Sequence, residues 1–146
     1  MKSFLLKDKT PICKWGMIPP ETYFFGEIPK GYSLAINPHS PFIILDIDDH
    51  GNIVGINNIP KNLKKEIFLS FGYNTKSGYH AWFKYSGNKE LMNKTSGLGL
   101  DLRTSKGYVK WYLPGDIRDY IHLIKSTSPR LNKFLEKLFQ GINYDK

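Results

Sequence analysis

The chain has 146 residues, a length that holds one domain with a real core and would leave two cramped. Its 40% hydrophobic content is ordinary for a globular protein, no run approaches the ~20 apolar residues of a membrane span, and Lys7 and Asp8 charge the N-terminus too early for a signal peptide. One cysteine, Cys13, excludes an internal disulfide or a multi-cysteine zinc site and fits a reducing, cytoplasmic setting, while a formal charge of +8 favours phosphate-bearing partners.

Residues 1–30 carry Pro11, Pro19, Pro20 and Pro29 and read as an irregular, wrapping segment. Gly31 to Asn37 has strand character. The short Pro38-His39-Ser40-Pro41 turn after it predicts an antiparallel pair with the next strand. That strand, Phe42-Ile43-Ile44-Leu45-Asp46-Ile47-Asp48-Asp49, is the most informative stretch. Its apolar run is that of a buried strand, and alternation puts Asp46 and Asp48 on one face at its end, with Asp49 on the other. Unpaired charge beside a hydrophobic run is costly, and a hard Mg²⁺ or Mn²⁺ ion neutralises paired carboxylates. A solvated turn opening at His50-Gly51-Asn52 accounts for these acids equally well at this point.

Lys61 to Glu66 predicts a short helix. Ile67 to Thr75 and His80 to Tyr85 follow as two strands about a Lys76-Ser77-Gly78-Tyr79 turn. A polar, glycine-bearing stretch, Asn88 to Gly97, leads into Leu98 to Arg103 and Tyr108 to Leu113, a second hairpin turning at Thr104-Ser105-Lys106-Gly107. Tyr120 to Lys125 adds a strand or opens a helix. Over 128–140 the signals are complete: Ser128 caps, Pro129 suits the first turn, Leu131, Phe134, Leu135, Leu138 and Phe139 share a face, and Gly141 stops the helix. The order of elements predicts an α+β domain with a mixed or antiparallel sheet and few helices. It is one unit, 1–146, with the wrapping segment at 1–30, the core at 31–125 and the helix at 128–140.

Lysines often stand beside aromatics, as in Lys14-Trp15, Phe83-Lys84-Tyr85 and Lys110-Trp111-Tyr112. Charge neutralises phosphates and rings stack on bases, so a nucleotide or nucleic-acid substrate is favoured. Asp101 sits in the alternation Leu98, Leu100, Leu102 and faces away from these leucines, with Arg103 on its own face. Three carboxylates from two strands can bridge two metal ions, as in phosphoryl or nucleotidyl transfer. His80 opens a strand after a tight turn, where an imidazole can donate to a phosphate oxygen, and Ser77 and nearby backbone N–H groups can join it. The blander readings are a core histidine for His80 and a structural Asp101–Arg103 ion pair. His39, His50 and His122 read as surface, and Trp15, Trp82 and Trp111 as core.

Three pieces stand in order: Ile44-Leu45-Asp46-Ile47-Asp48, then Thr75-Lys76-Ser77-Gly78-Tyr79-His80-Ala81-Trp82-Phe83, then Gly99-Leu100-Asp101-Leu102-Arg103 with Gly107-Tyr108-Val109. This order resembles the archaeo-eukaryotic primase superfamily, in its bifunctional primase–polymerase (prim-pol) branch. Lys9-Thr10-Pro11 with Trp15 is similar to the opening of that family, and the resemblance runs from about Lys9 to Leu113. The second motif has lost one glycine and is one residue shorter, with Tyr79 placed where it would crowd or stack on the substrate.

The resemblance implies a modified RNA-recognition-type (RRM-like) core. Asp46, Asp48 and Asp101 would be the catalytic residues and bind two Mg²⁺ or Mn²⁺ ions, while Ser77, Gly78, His80 and Arg103 would bind the nucleotide. The implied activity is that of a DNA primase and DNA polymerase in replication of a plasmid, phage or mobile element. The 3′-hydroxyl of a primer or initiating nucleotide would attack the α-phosphate of a (d)NTP on a single-stranded DNA template, with pyrophosphate leaving. Nothing after Lys125 resembles an accessory module, so a helicase or helical domain in trans is the implied partner, with no membrane involved. Two other classes stay open. One is a non-catalytic nucleic-acid-binding replication-initiator module. The other is a haloacid-dehalogenase-type phosphatase with Asp46 as nucleophile, a family that calls for an alternating α/β pattern where this chain is strand-rich.

Overall fold

The structure is a computed structural model that describes residues 1–141; residues 142–146, within the expected single domain, lie outside the described residues. In chain order the elements are β1 (Lys2–Lys7), β2 (Thr10–Pro11), β3 (Tyr32–Asn37), β4 (Phe42–Asp48), α1 (Lys61–Leu69) and β5 (Gly72–Thr75). There follow β6 (Gly78–Lys84), β7 (Lys94–Thr95), β8 (Leu100–Arg103), β9 (Val109–Lys110), β10 (Lys125–Ser126) and α2 (Pro129–Phe139). The fold is α+β. The first sheet is antiparallel, in the order β2-β1-β3-β9. The second runs β10-β6-β4-β8-β7, with β5 also on β6, and is antiparallel except for the short parallel β10–β6 pair.

Alternation along β4 explains the layers. Ile43, Leu45 and Ile47 pack with Ala81, Phe83, Leu100 and Leu102 against Leu63 and Ile67 of α1 and Leu131, Leu135 and Phe139 of α2. Ile44 points the other way and joins Trp82 and Tyr73 in a core shared with Leu5, Leu34, Ile36 and Val109 of the first sheet, and with Trp111. The second sheet is therefore the middle layer, dry on both faces over most of its area. Each large side chain so buried contributes roughly 1.5–3 kcal/mol.

The helix at 128–140 forms as expected. Ser128 Oγ accepts from the Leu131 N–H at 3.1 Å, and Pro129 opens the helix. Residues 61–66 also form a helix, but it runs on to Leu69 because Leu63 and Ile67, four apart, both reach the core. The strand expected from Ile67 accordingly starts only at Gly72.

Four further expectations are corrected. Residues 1–30 are not irregular throughout, because β1 is an inner strand whose Phe4, Leu5 and Leu6 are buried. The wrapping description holds after β2, where Trp15 and Ile18 cover the outer face of the first sheet at Phe4, Leu6 and Ala35. β3 and β4 do not pair. β1 and β9 occupy both edges of β3, and Pro38 and Pro41 remove two donors from the connection, so the chain crosses between sheets instead of turning back. The second hairpin is likewise absent: β9 joins β3, and β8 pairs with β4 and with β7, which lies inside the stretch read as polar loop. Finally, Tyr120 to Lys125 resolves into a 3₁₀ turn at Ile121–Leu123 followed by β10.

Candidate functional site

The second sheet's register assembles the acids. Asp46 lies directly opposite Asp101 of β8 on one side and His80 of β6 on the other, while Asp48 lies opposite Gly78. All continue the face of Ile44, at the end where β4 leaves the core between the sheets. One ligand oxygen from each of Asp46, Asp48 and Asp101 falls within 4.8 Å of the others. Arg103 sits on the same face, its Nη2 3.7 Å from Asp101 Oδ2, and His50 Nε2 lies 3.8 Å from Asp48 Oδ2.

Asp46 Oδ1 is buried without a hydrogen bond. His80 Nε2 lies 3.4 Å away and is not aligned for one. A buried carboxylate oxygen left this way is unfavourable. Burial, reinforced by the charges of Asp46 and Asp101, pushes the Asp48 carboxyl up to about 6. Burial also raises Asp101, against the opposing pull of Arg103. An all-oxygen donor set with one orphaned oxygen fits a hard divalent cation.

Glycines set the backbone around these acids. A Cβ at Gly78 would collide with the Ile47 carbonyl oxygen, and one at Gly55 with the Gly99 carbonyl. That same Gly99 carbonyl accepts the Asp48 N–H at 2.8 Å, and Gly99 itself has a positive φ of 74°. The loop after β4 and the loop before β8 are thus pressed against the backbone of Asp48.

The structure brings Asp46, Asp48, Asp101, His80 and Arg103 together. Gly78 stands in β6 and not in the turn, which contains only Lys76 and Ser77. Ser77 is exposed there, and its carbonyl accepts the Asp49 N–H at 2.8 Å. Tyr79 does not crowd the acids. It lies on the helix side of the sheet, 5.0 Å from Phe68 and filling the space left by Gly72. Asp49 caps its own turn through the Gly51 N–H and takes no part in the cluster. His39 and His122 are exposed, as expected, whereas exposed His50 reaches the acids. Trp82 and Trp111 are core, and Trp15 stacks on Phe4 at 5.7 Å.

Besides His50, two residues lie at the site that the sequence did not assign to it. Tyr73 lies opposite His80, with its hydroxyl 3.3 Å from His80 Nδ1 and accepting the Trp82 indole N–H at 3.1 Å. Burial raises this phenol far above its ordinary range, so it keeps its proton at neutral pH. Tyr112 stands at the exposed rim, its ring 6.0 Å from His80 and with Lys110 Nζ 5.3 Å from its centroid. A cavity of about 460 Å³ bordered by Ser40, Tyr85, Glu90 and Thr104 lies at the opposite end of β4, away from the acids.

No described helix is long and apolar enough to cross a membrane. Comparison with known protein families, with curated proteins and with solved structures finds no match to this chain.

Proposed function

We propose that this chain is a primase–polymerase-type nucleotidyltransferase of the archaeo-eukaryotic primase superfamily, with its second sheet and two helices as an RRM-like core. The observation that carries this reading is the triad of Asp46, Asp48 and Asp101, grouped within 4.8 Å with a buried, orphaned oxygen among them. Asp46, Asp48 and Asp101 would hold two Mg²⁺ or Mn²⁺ ions. Bound there, such ions stabilise the charge on the attacking and leaving oxygens of an in-line displacement. His80, flanking Asp46, would donate to the triphosphate of the incoming (d)NTP, with Ser77 in the neighbouring turn and Gly78 at the start of β6 beside it. Arg103 would add positive charge from the Asp101 side. No side-chain nucleophile is needed, since positioning and charge stabilisation carry the reaction.

A formal net charge of +8 and the exposed Tyr112–Lys110 pair beside His80 suit a single-stranded DNA template. The alternating α/β arrangement called for by the phosphatase reading does not match a strand β4 that is antiparallel to both neighbours.

The test is extension of a labelled primer on single-stranded DNA with (d)NTPs and Mn²⁺ or Mg²⁺, alongside a reaction without primer. Incorporation that disappears in Asp46→Asn, Asp48→Asn and Asp101→Asn is the expected result. Template binding without incorporation under either metal would instead favour a non-catalytic replication module. Addition of a helicase or helical partner in trans then asks whether priming, as distinct from extension, needs it.

A further inference from the structure

We infer that Tyr73 is a positioning residue of this site: it fixes His80 in the tautomer that carries its proton on Nε2, so that His80 faces the carboxylates as a neutral donor and not as a metal ligand. The argument follows the protons through a buried chain. The Trp82 indole nitrogen can only donate, and it donates to the Tyr73 hydroxyl at 3.1 Å. That oxygen therefore acts as an acceptor, and its own single proton needs a further partner. The partner within reach is His80 Nδ1, 3.3 Å away. If Nδ1 carried a proton, two donors would converge on the phenol oxygen, and the phenol proton would be buried without an acceptor, which folded proteins avoid.

The far side of the imidazole requires the same assignment. Nε2 lies 3.4 Å from the buried Oδ1 of Asp46, where a bare nitrogen lone pair would face a carboxylate. With the proton on Nε2 the ring presents N–H toward the acids. Because that N–H is not aligned on Asp46, it can serve an acceptor brought to the triad. A nitrogen that carries a proton has no lone pair for a cation, so His80 adds no ligand to the three carboxylates. Tyr73 and His80 are 5% and 6% exposed, and the rings of Tyr73, Trp111 and Tyr112 pack around the imidazole or one another, which keeps water from replacing these partners.

That the acceptor is a triphosphate oxygen rests on the nucleotidyltransferase reading, whereas the tautomer does not. The two are therefore measured separately. Long-range ¹H–¹⁵N correlation of the metal-free protein, with the His80 signals assigned by their loss in His80→Gln, reports which ring nitrogen is protonated. The expected pattern at neutral pH is protonated Nε2 and bare Nδ1 in the wild type, giving way to a mixture of tautomers in Tyr73→Phe. Protonated Nδ1 in the wild type, or an unchanged pattern in Tyr73→Phe, overturns the proposal.

Titration of the folded Tyr73→Phe protein with Mn²⁺ and then with Mn²⁺–dATP supplies the functional readout. Mn²⁺ affinity is expected to hold and dATP affinity to fall roughly tenfold. Equal loss of both would make Tyr73 merely structural and overturn the positioning role. Failure of the wild type to bind dATP at all counts against the nucleotidyltransferase reading and leaves the tautomer result standing by itself.

Discussion

On the helix side of β4, Ile43, Leu45 and Ile47 are sealed against α1 and α2; on the other side Ile44 lies in an equally dry core, but Asp46 and Asp48 leave it. The two faces belong to the same seven residues and differ only in the parity of position. One face holds the molecule together without interruption. The other surrenders apolar contact at its end and gathers acids that repel one another. Neighbouring residues on one strand can therefore be changed with opposite consequences, because the backbone between them is shared and the environments are not.

The sharpest break in this comparison is Asp46→Asn. It should reduce nucleotide incorporation by about three orders of magnitude, since loss of a metal-holding carboxylate removes several kcal/mol of charge stabilisation. Chemical denaturation should show stability unchanged or higher. Leu45→Ala, one residue earlier, should do the reverse. Leu45 is fully buried, so the variant should lose about 2–5 kcal/mol in urea titration while the folded fraction keeps its turnover. A large loss of turnover per folded molecule in Leu45→Ala would show that the faces are coupled.

A smaller effect concerns pH. The Asp48 carboxyl is raised from about 3.8 to about 6 in the fold, so its contribution favours the folded state fully below pH ~4 and is lost as pH rises through about 6. Asp48→Asn removes that loss. In chelator at pH 8 the variant should be more stable than wild type by on the order of 1 kcal/mol, a figure reduced for solvent screening at this partly exposed group. The difference should vanish near pH 4, as read by thermal melts across pH. Excess Mn²⁺ should stabilise the wild type and leave Asp48→Asn behind. The smallest effect is expected for Tyr79→Phe, which should change neither turnover nor stability beyond about 0.5 kcal/mol, because the ring lies on the helix side and its hydroxyl has no role at the acids. A marked gain in nucleotide affinity there would place Tyr79 back at the substrate.

What could be read in the sequence was what depends on local period. The alternation in β4 and β8 put Asp46, Asp48, Asp101 and Arg103 on one face, and cap, proline and apolar spacing marked α2. What could not be read depends on partners distant in the chain. β1 has no alternation, because residues on both its faces are covered, one by the core between the sheets and the other by Trp15 and Ile18. β3 closes against Lys2–Lys7 and Val109–Lys110, not against the strand that follows it. Tyr73 was hidden by a matter of turn length. A four-residue turn at Lys76–Tyr79 would have set Thr75 against His80, whereas the actual two-residue turn sets Tyr73 there. Register is fixed by the turn, and a slip of two residues keeps every side chain on its face while changing its partner.

The glycines around Asp48 bear on how this chain tolerates variation. Gly55, Gly78 and Gly99 carry no ligand group, yet at each a Cβ would drive into a neighbouring backbone. In a saturation library selected for activity, these positions would be depleted as severely as the carboxylates. Their variants would also be missing from a selection for folding alone, which Asp46→Asn would survive. A search for distant kin built on the acids therefore asks for chemistry, and one built on the three glycines asks for the narrow spacing of strands that lets the acids meet.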